Sequence, residues 1–372
     1  MKAIFLCFLL AWFFVSCEKE PQLANASTFS LDKFEQNIKA FYPPGVTGYS
    51  YAISYLDKVD RYGAGGNARI SADGLTVYTA ETRQELFSVT KFITAIAICK
   101  ILHDKGKTLD EKVVGYLPAN WKIHSSYNDL TFEQLLSHKS GFSMEDRSFD
   151  SLRKMMNIPQ VSNSYNYNNA NYALCRILLP YMYRGKAYFQ SAENQNINET
   201  ATAWEFRSLI RELVLKPSQL QYYNIADFKD WNHQGSTVFP YTRYYLNSDL
   251  TVPSAANTDD VLIAGSRGLT LTSYEVAQVL TAFENKKLLN ENWMNEMKNK
   301  KCGFDSWVSG AHGKYYWKNG GWVTNSGVGG ETIIMIFPNG VRVSLNCNSN
   351  RKLSDQFVGD PSNMAKAYDD AW

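Results

Sequence analysis

The pair with the most chemical promise is Ser88 and Lys91, a hydroxyl and an amine three positions apart in Glu85-Leu86-Phe87-Ser88-Val89-Thr90-Lys91-Phe92-Ile93. An alcohol is a poor nucleophile until a neighbouring base takes its proton. A lysine can be that base only if its pKa falls from about 10.4 toward neutrality, which burial among apolar groups achieves. Phe87 and Phe92 flank the pair and can supply those surroundings. The spacing alone proves nothing, because Ser-x-x-Lys recurs at Ser16, Ser30, Ser151 and Ser349. A second source of chemistry is the polar run Ser162 to Tyr172, where Tyr167 and Asn169 stand two apart before an apolar segment. A phenol can share proton transfer with a lysine, and an amide can hold a substrate carbonyl. His138 closes a short segment at Ser137-His138-Lys139-Ser140-Gly141, and is expected to be satisfied there by backbone carbonyls rather than to act as a base.

The elements that must position these groups can be read from periodicity. Phe92, Ile93, Ile96, Ile98, Ile101 and Leu102 fall on nearly every side of one helix that stops at Asp104-Lys105-Gly106, so that helix should be buried. Positions i and i+3 share a face, which points Ser88 and Lys91 the same way. A helix over Leu31 to Phe41 and strands at Tyr49 to Leu56 and Leu75 to Tyr78 precede it, with a glycine-rich turn expected at Arg61 to Gly66. Thr131 with Gln134, and Thr272 with Glu275, have capping-box spacing for two further helices. Strands follow at Phe304 to Val308, Tyr315 to Lys318, Thr332 to Phe337 and Val341 to Asn346. Strands at both ends with helices between suit an α+β fold, an antiparallel sheet flanked by helices and built from both chain ends, with an all-helical insert over about 105–260.

Composition sets the outer bounds. With 372 residues, 45% apolar content and a net charge of +2, there is ample material for a packed core and little attraction for nucleic acid; the one dense basic cluster is Lys298 to Lys301. The five His are scattered and no cysteine spacing suggests zinc, so neither a metal nor a cofactor is expected. Met1-Lys2, the apolar run Ala3 to Val15 and the small residue Ser16 before Cys17 read as a secretory signal over residues 1–17. Cys17 resembles the acylation site of bacterial lipoproteins. That reading implies a lipid anchor at Cys17, a tether over 18–30 and an exported protein held on a bacterial cell-envelope membrane. Cys99 and Cys175 read as core thiols, whereas a bridge between Cys302 and Cys347 stays open.

Taken together, Leu86-Phe87-Ser88-Val89-Thr90-Lys91, Leu130-Thr131 to Ser140-Gly141, Tyr167-Asn168-Asn169-Ala170-Asn171-Tyr172 and Gly268-Leu269-Thr270-Leu271-Thr272 resemble the β-lactamase superfamily of penicillin-recognising serine hydrolases. The similarity runs from about Tyr49 to Asn346 and is nearest the class C β-lactamase, DD-peptidase and esterase branch. The resemblance implies that Ser88 is acylated, that Lys91 accepts its proton and that Tyr167 and Asn169 are the family's Tyr-x-Asn. Ser164-Tyr165-Asn166 offers a competing register, which the Ala170 to Leu174 continuation disfavours. The family's third element maps onto Lys318-Asn319-Gly320, where Lys318 is expected to hold a substrate carboxylate and Gly321 N–H with Ser88 N–H to form an oxyanion hole. Asn319 departs from the usual small hydroxyl residue, and Gly321 to Gly330 looks longer than family hairpins. The implied protein is a monomeric serine hydrolase of residues 31–372 acting on a β-lactam, a D-Ala-D-Ala peptide or an ester. The competing reading is a non-catalytic envelope lipoprotein that keeps the fold and binds a small molecule or peptide.

Overall fold

Strands come from both ends of the chain and helices from its middle in the computed structural model, which describes residues 28–40, 46–228, 240–246, 260–325, 327–350 and 359–372. Cys17 and the rest of the leader lie outside the described residues. The N-terminal part supplies β1 (Gly48–Tyr55), β2 (Lys58–Arg69), β3 (Thr76–Val77) and β4 (Gln84–Glu85). The later part supplies β5 (Tyr245–Leu246), β6 (Thr270–Leu271), β7 (Ser306–Gly310), β8 (Gly313–Val323), β9 (Gly329–Ile336), β10 (Val341–Cys347) and β11 (Ser349–Asn350). Antiparallel pairing runs β7-β8-β9-β10-β1-β2-β3, with short β5 against the start of β9 and β11 parallel to β5, while β4 and β6 form a separate two-stranded sheet.

The sheet is sandwiched, which is why β9 and β10 are buried at every position rather than on alternate residues. Ile333 and Met335 on β9 face one layer, where α1 (Leu31–Ala40) and the C-terminal helix place Phe34, Ile38, Met364 and Tyr368. Ile334 and Ile336 face the other, joining Phe92, Ile96, Val276 and Leu280. That second layer is α2 (Thr90–Asp104), buried on all sides as its sequence demands, with a later helix at Ser273–Glu284. Between them, α3 (Phe132–Leu136), α4 (Phe149–Met155), α5 (Ala170–Arg184), α6 (Lys186–Asn194) and α7 (Asn198–Ile210) build the helical lobe. The Ser273–Glu284 helix is therefore α8, followed by α9 (Glu291–Lys300) and α10 (Pro361–Asp369). Both expected capping boxes form, at Thr131 with Gln134 and at Thr272 with Glu275.

One local expectation is corrected and two open points are settled. Residues 61–66 are part of strand β2, not a turn. A Cβ at Gly63 would lie 2.5 Å from the Tyr51 hydroxyl, and one at Gly65 2.7 Å from that of Tyr49. These glycines let cross-strand tyrosine rings lie flat on the backbone. The stretch 321–330 is mostly strand: Gly321, Trp322 and Val323 pair with Glu331, Gly330 and Gly329, and Thr324 N–H bonds Val328 O at 2.8 Å to close the hairpin. Cys302 and Cys347 are free thiols, buried in different cores on opposite sides of the sheet.

Candidate active site

Ser88 sits in a single 3-10 turn, Phe87–Val89, that feeds α2. Phe87 has φ +46°, a left-handed conformation that is strained for a bulky residue. Its ring packs on Tyr244 and Val328, which pins the turn in place. Leu86, one residue earlier, donates to Leu269 O at 2.8 Å, and Thr332 Oγ1 donates to Leu86 O at 2.8 Å. A Cβ on Gly320 would stand 2.6 Å from both Leu86 O and Ser88 N, so only glycine lets β8 pass this close to the serine.

Lys91 is fully buried one helical turn on, with its Nζ 3.0 Å from Ser88 Oγ. The same nitrogen donates to Asn169 Oδ1 at 2.8 Å and to Ser266 O at 2.7 Å. Those two carbonyl oxygens can only accept, so they consume two N–H groups, and in a neutral amine the remaining lone pair faces the serine hydroxyl. Burial holds the Lys91 pKa well below the ordinary lysine value, and the nearby charge of Lys318 lowers it further, against an opposing pull from Asp305. The amine is thus prepared as a base.

Tyr167 donates from its hydroxyl to Ser88 Oγ at 2.8 Å and lies in the loop before α5, as does Asn169 at that helix's N-cap. Desolvation raises the Tyr167 pKa, with the Ser88 hydrogen bond working against it, so the phenol is a proton donor at neutral pH. Its ring stacks on the His138 imidazole, centroids 4.5 Å apart. His138 is buried at φ +59°, and its Nδ1 accepts from Asn168 N–H at 3.2 Å. The imidazole therefore caps a backbone N–H of the Tyr167 loop instead of the carbonyls expected for it. Asn169 uses its oxygen for Lys91 and its Nδ2 for Glu145 Oε1, 2.6 Å away. Tyr165 of the competing register is 57% exposed, and among the described residues the tyrosine hydrogen-bonded to Ser88 is Tyr167.

Lys318 is placed differently from expectation. It is 2% exposed, its Nζ is 2.7 and 2.8 Å from the two oxygens of Asp305, and it also bonds Asn319 O at 2.6 Å. An ammonium has three N–H groups, and all three are spent, so none is left for a substrate carboxylate in this arrangement. Its Nζ lies 5.6 Å from the Tyr167 ring centre, close enough to act on the site through its charge. Gly321 lines a cleft of about 370 Å³ with Ser88, Asn169 and Trp322.

A sequence model of the Beta-lactamase family matches residues 34–368. The chain belongs to that family. No curated protein matches its sequence, but solved structures share the fold of this β-lactamase-family chain. FmtA from Staphylococcus aureus is 15% identical, with a TM-score of 0.67 over 91% of this chain and 88% of that one. A D-amino acid amidase from Ochrobactrum anthropi SV3 is 17% identical, with a TM-score of 0.64 over 90% and 96%. A penicillin-binding protein from Bacillus halodurans is 14% identical, with a TM-score of 0.62 over 90% and 97%. Family and fold together support a serine-hydrolase function in general terms.

Two functional contacts escape sequence reasoning: Asp305 on Lys318, and the Glu85 carboxylate gripped by Arg267 at 2.7 and 2.8 Å next to the serine turn. Glu85 opens the Ser88 stretch and Arg267 adjoins the Gly268-Leu269-Thr270 segment, but nothing local pairs them or sets His138 behind Tyr167. Among the described residues, no group of three or more His, Cys, Asp or Glu is arranged to hold a metal ion, and no helix is long and apolar enough to cross a membrane.

Proposed function

We propose that this β-lactamase-family protein hydrolyses an amide, ester or β-lactam through an acyl-enzyme on Ser88. The observation that carries the reading is the convergence on Ser88 Oγ of Lys91 Nζ at 3.0 Å and Tyr167 OH at 2.8 Å, with Lys91 depressed in pKa. Ser88 attacks the carbonyl carbon as its proton passes to neutral Lys91. The N–H groups of Ser88 and Gly321 receive the oxyanion. Tyr167 carries a proton to the leaving group, and water then attacks the ester with the Lys91 and Tyr167 pair acting as base. Similar folds in a penicillin-binding protein and a D-amino acid amidase favour amide-type acyl donors among the three classes. The signal-like leader ending at Cys17 supports an exported, lipid-anchored protein at the bacterial cell envelope.

The test is to incubate the soluble part with a fluorophosphonate, a penicillin and a p-nitrophenyl ester, and to read intact mass and turnover beside Ser88→Ala. An adduct on the wild type alone, with turnover of at least one class, is expected. No adduct with any probe would leave a binding protein that merely keeps the fold.

A further inference from the structure

We propose that a groove along the first turns of α8, outside the Ser88 cleft, is a second site that binds a saccharide chain. Two adjoining cavities make it, of about 370 and about 200 Å³, and both are lined by Tyr274 and Gln278 of α8. The larger one matches the Ser88 cleft in volume, and neither shares a lining residue with that cleft. Its other walls are Tyr62 of β2, Glu81 in the link from β3 to β4, and Gln221 and Tyr222 from the segment after α7. Tyr62 lies where β2 is the edge of the sheet, because β3 pairs only with Asn67 and Arg69. Its ring is 56% exposed and that of Tyr222 37%, so both offer aromatic surface to solvent. Tyr62 and Tyr274 meet edge to face, with centroids 5.2 Å apart and planes at 83°, which makes a rigid aromatic corner.

The polar atoms left over in the larger cavity are acceptors. Gln221 Nε2 donates to Tyr222 OH at 3.1 Å and Gln278 Nε2 to Gln219 O at 3.3 Å, while the Oε1 atoms of both accept nothing among the described residues. The Glu81 carboxylate makes no hydrogen bond or ion pair among them either; only its backbone N–H is engaged, with Thr79 Oγ1. Glu275 is not available, since Arg83 and Thr272 N–H hold its oxygens. A carboxylate and two amide oxygens beside tyrosine faces call for a ligand with many O–H or N–H donors and an apolar C–H face. A sugar ring has both, its C–H groups resting on the electron-rich ring face. The larger cavity is lined by no lysine, arginine or histidine that would hold a phosphate or carboxylate. A caged ammonium wants ring faces around it, whereas Tyr62 and Tyr274 close on each other. The smaller cavity, lined by Asp57, Lys58 and Lys287 among others, extends the groove past one ring's length, which suits a chain.

The experiment titrates the protein by calorimetry with chitohexaose, a chain of acetamido sugars, with cellohexaose, a chain of plain hexoses, and with choline. It does so in the wild type, Tyr62→Ala, Glu81→Ala and, as a control in the Ser88 cleft, Trp322→Ala. Saturable binding of at least one hexasaccharide is expected, and which of the two binds identifies the kind of sugar. Tyr62→Ala should weaken it by about 2- to 10-fold, the worth of one stacked ring. Glu81→Ala should weaken it by about 10- to 100-fold, the worth of a charge-assisted hydrogen bond. Trp322→Ala should leave it unchanged. Tyr62 and Glu81 are both exposed and lie on different elements, so circular dichroism checks each fold and either variant alone decides the matter. No binding of either hexasaccharide at millimolar concentration would overturn the proposal, and so would choline binding without them. Affinity that falls in Trp322→Ala but holds in Tyr62→Ala and Glu81→Ala would place the chain in the Ser88 cleft and overturn it too. The outcome is independent of whether Ser88 forms an acyl-enzyme.

Discussion

Acidification from about pH 7 to about pH 4.5 should cost this protein roughly 3 kcal/mol of stability through one side chain, His138. Its Nδ1 accepts from Asn168 N–H and Asn171 Nδ2, so the nitrogen must stay unprotonated in the fold. Burial, with the charges of Lys91 and Lys318 nearby, lowers its pKa to about 3. The unfolded chain binds a proton near pH 6.5 and the folded one does not, so stability is lost as pH falls below 6.5 and the loss stops growing near the folded value. Above 6.5 both states are neutral and the group has no effect. Two pH units below 6.5, at about 1.36 kcal/mol each, give about 2.7 kcal/mol. His138→Asn removes the titration while keeping a residue type tolerant of φ +59°. Urea unfolding followed by fluorescence of the nine tryptophans at the two pH values measures it. The wild type should lose about 3 kcal/mol more than His138→Asn over the interval. Equal losses would refute the claim that the imidazole is held neutral by the Tyr167 loop.

Gly320→Ala should leave the fold intact but lower kcat by about 100-fold or more, since its Cβ would push the Ser88 turn away from β8; an unchanged kcat would mean that the turn yields freely. Asp305→Asn strands the Lys318 ammonium in a buried site and should cost about 3 kcal/mol in chemical unfolding. The kcat/KM profile should rise with pH along a limb that lies well below the ordinary lysine range and belongs to Lys91. Lys318→Met, which removes the cation and leaves Asp305, should move that limb to higher pH, and a shift downward would contradict the electrostatic account.

The legible parts of this chain were those encoded within a turn or two of themselves. Ser88 and Lys91 share a helical face, the all-round apolar α2 declares its own burial, and the Thr131 and Thr272 boxes form where their spacing places them. The two-ended sheet with a helical middle followed from the order of periodic segments. What stayed hidden depends on contacts across long stretches of chain. Lys318 looked like a free cation because nothing local announces that Asp305, on the preceding strand's approach, closes on it. Residues 61–66 looked like a turn because their glycines serve the Tyr49 and Tyr51 rings of the neighbouring strand, not their own backbone. His138 kept its secret for the same reason: its two hydrogen-bond donors, Asn168 and Asn171, lie some thirty residues away.

The most direct test of the account is the rate at which a fluorophosphonate labels Ser88 in the wild type and in Lys91→Met at neutral pH. A neutral Lys91 acting as base predicts a fall of about 100-fold or more in the variant, with the label mapped to Ser88 in the wild type. Equal labelling rates, or a label on any other residue, would contradict it.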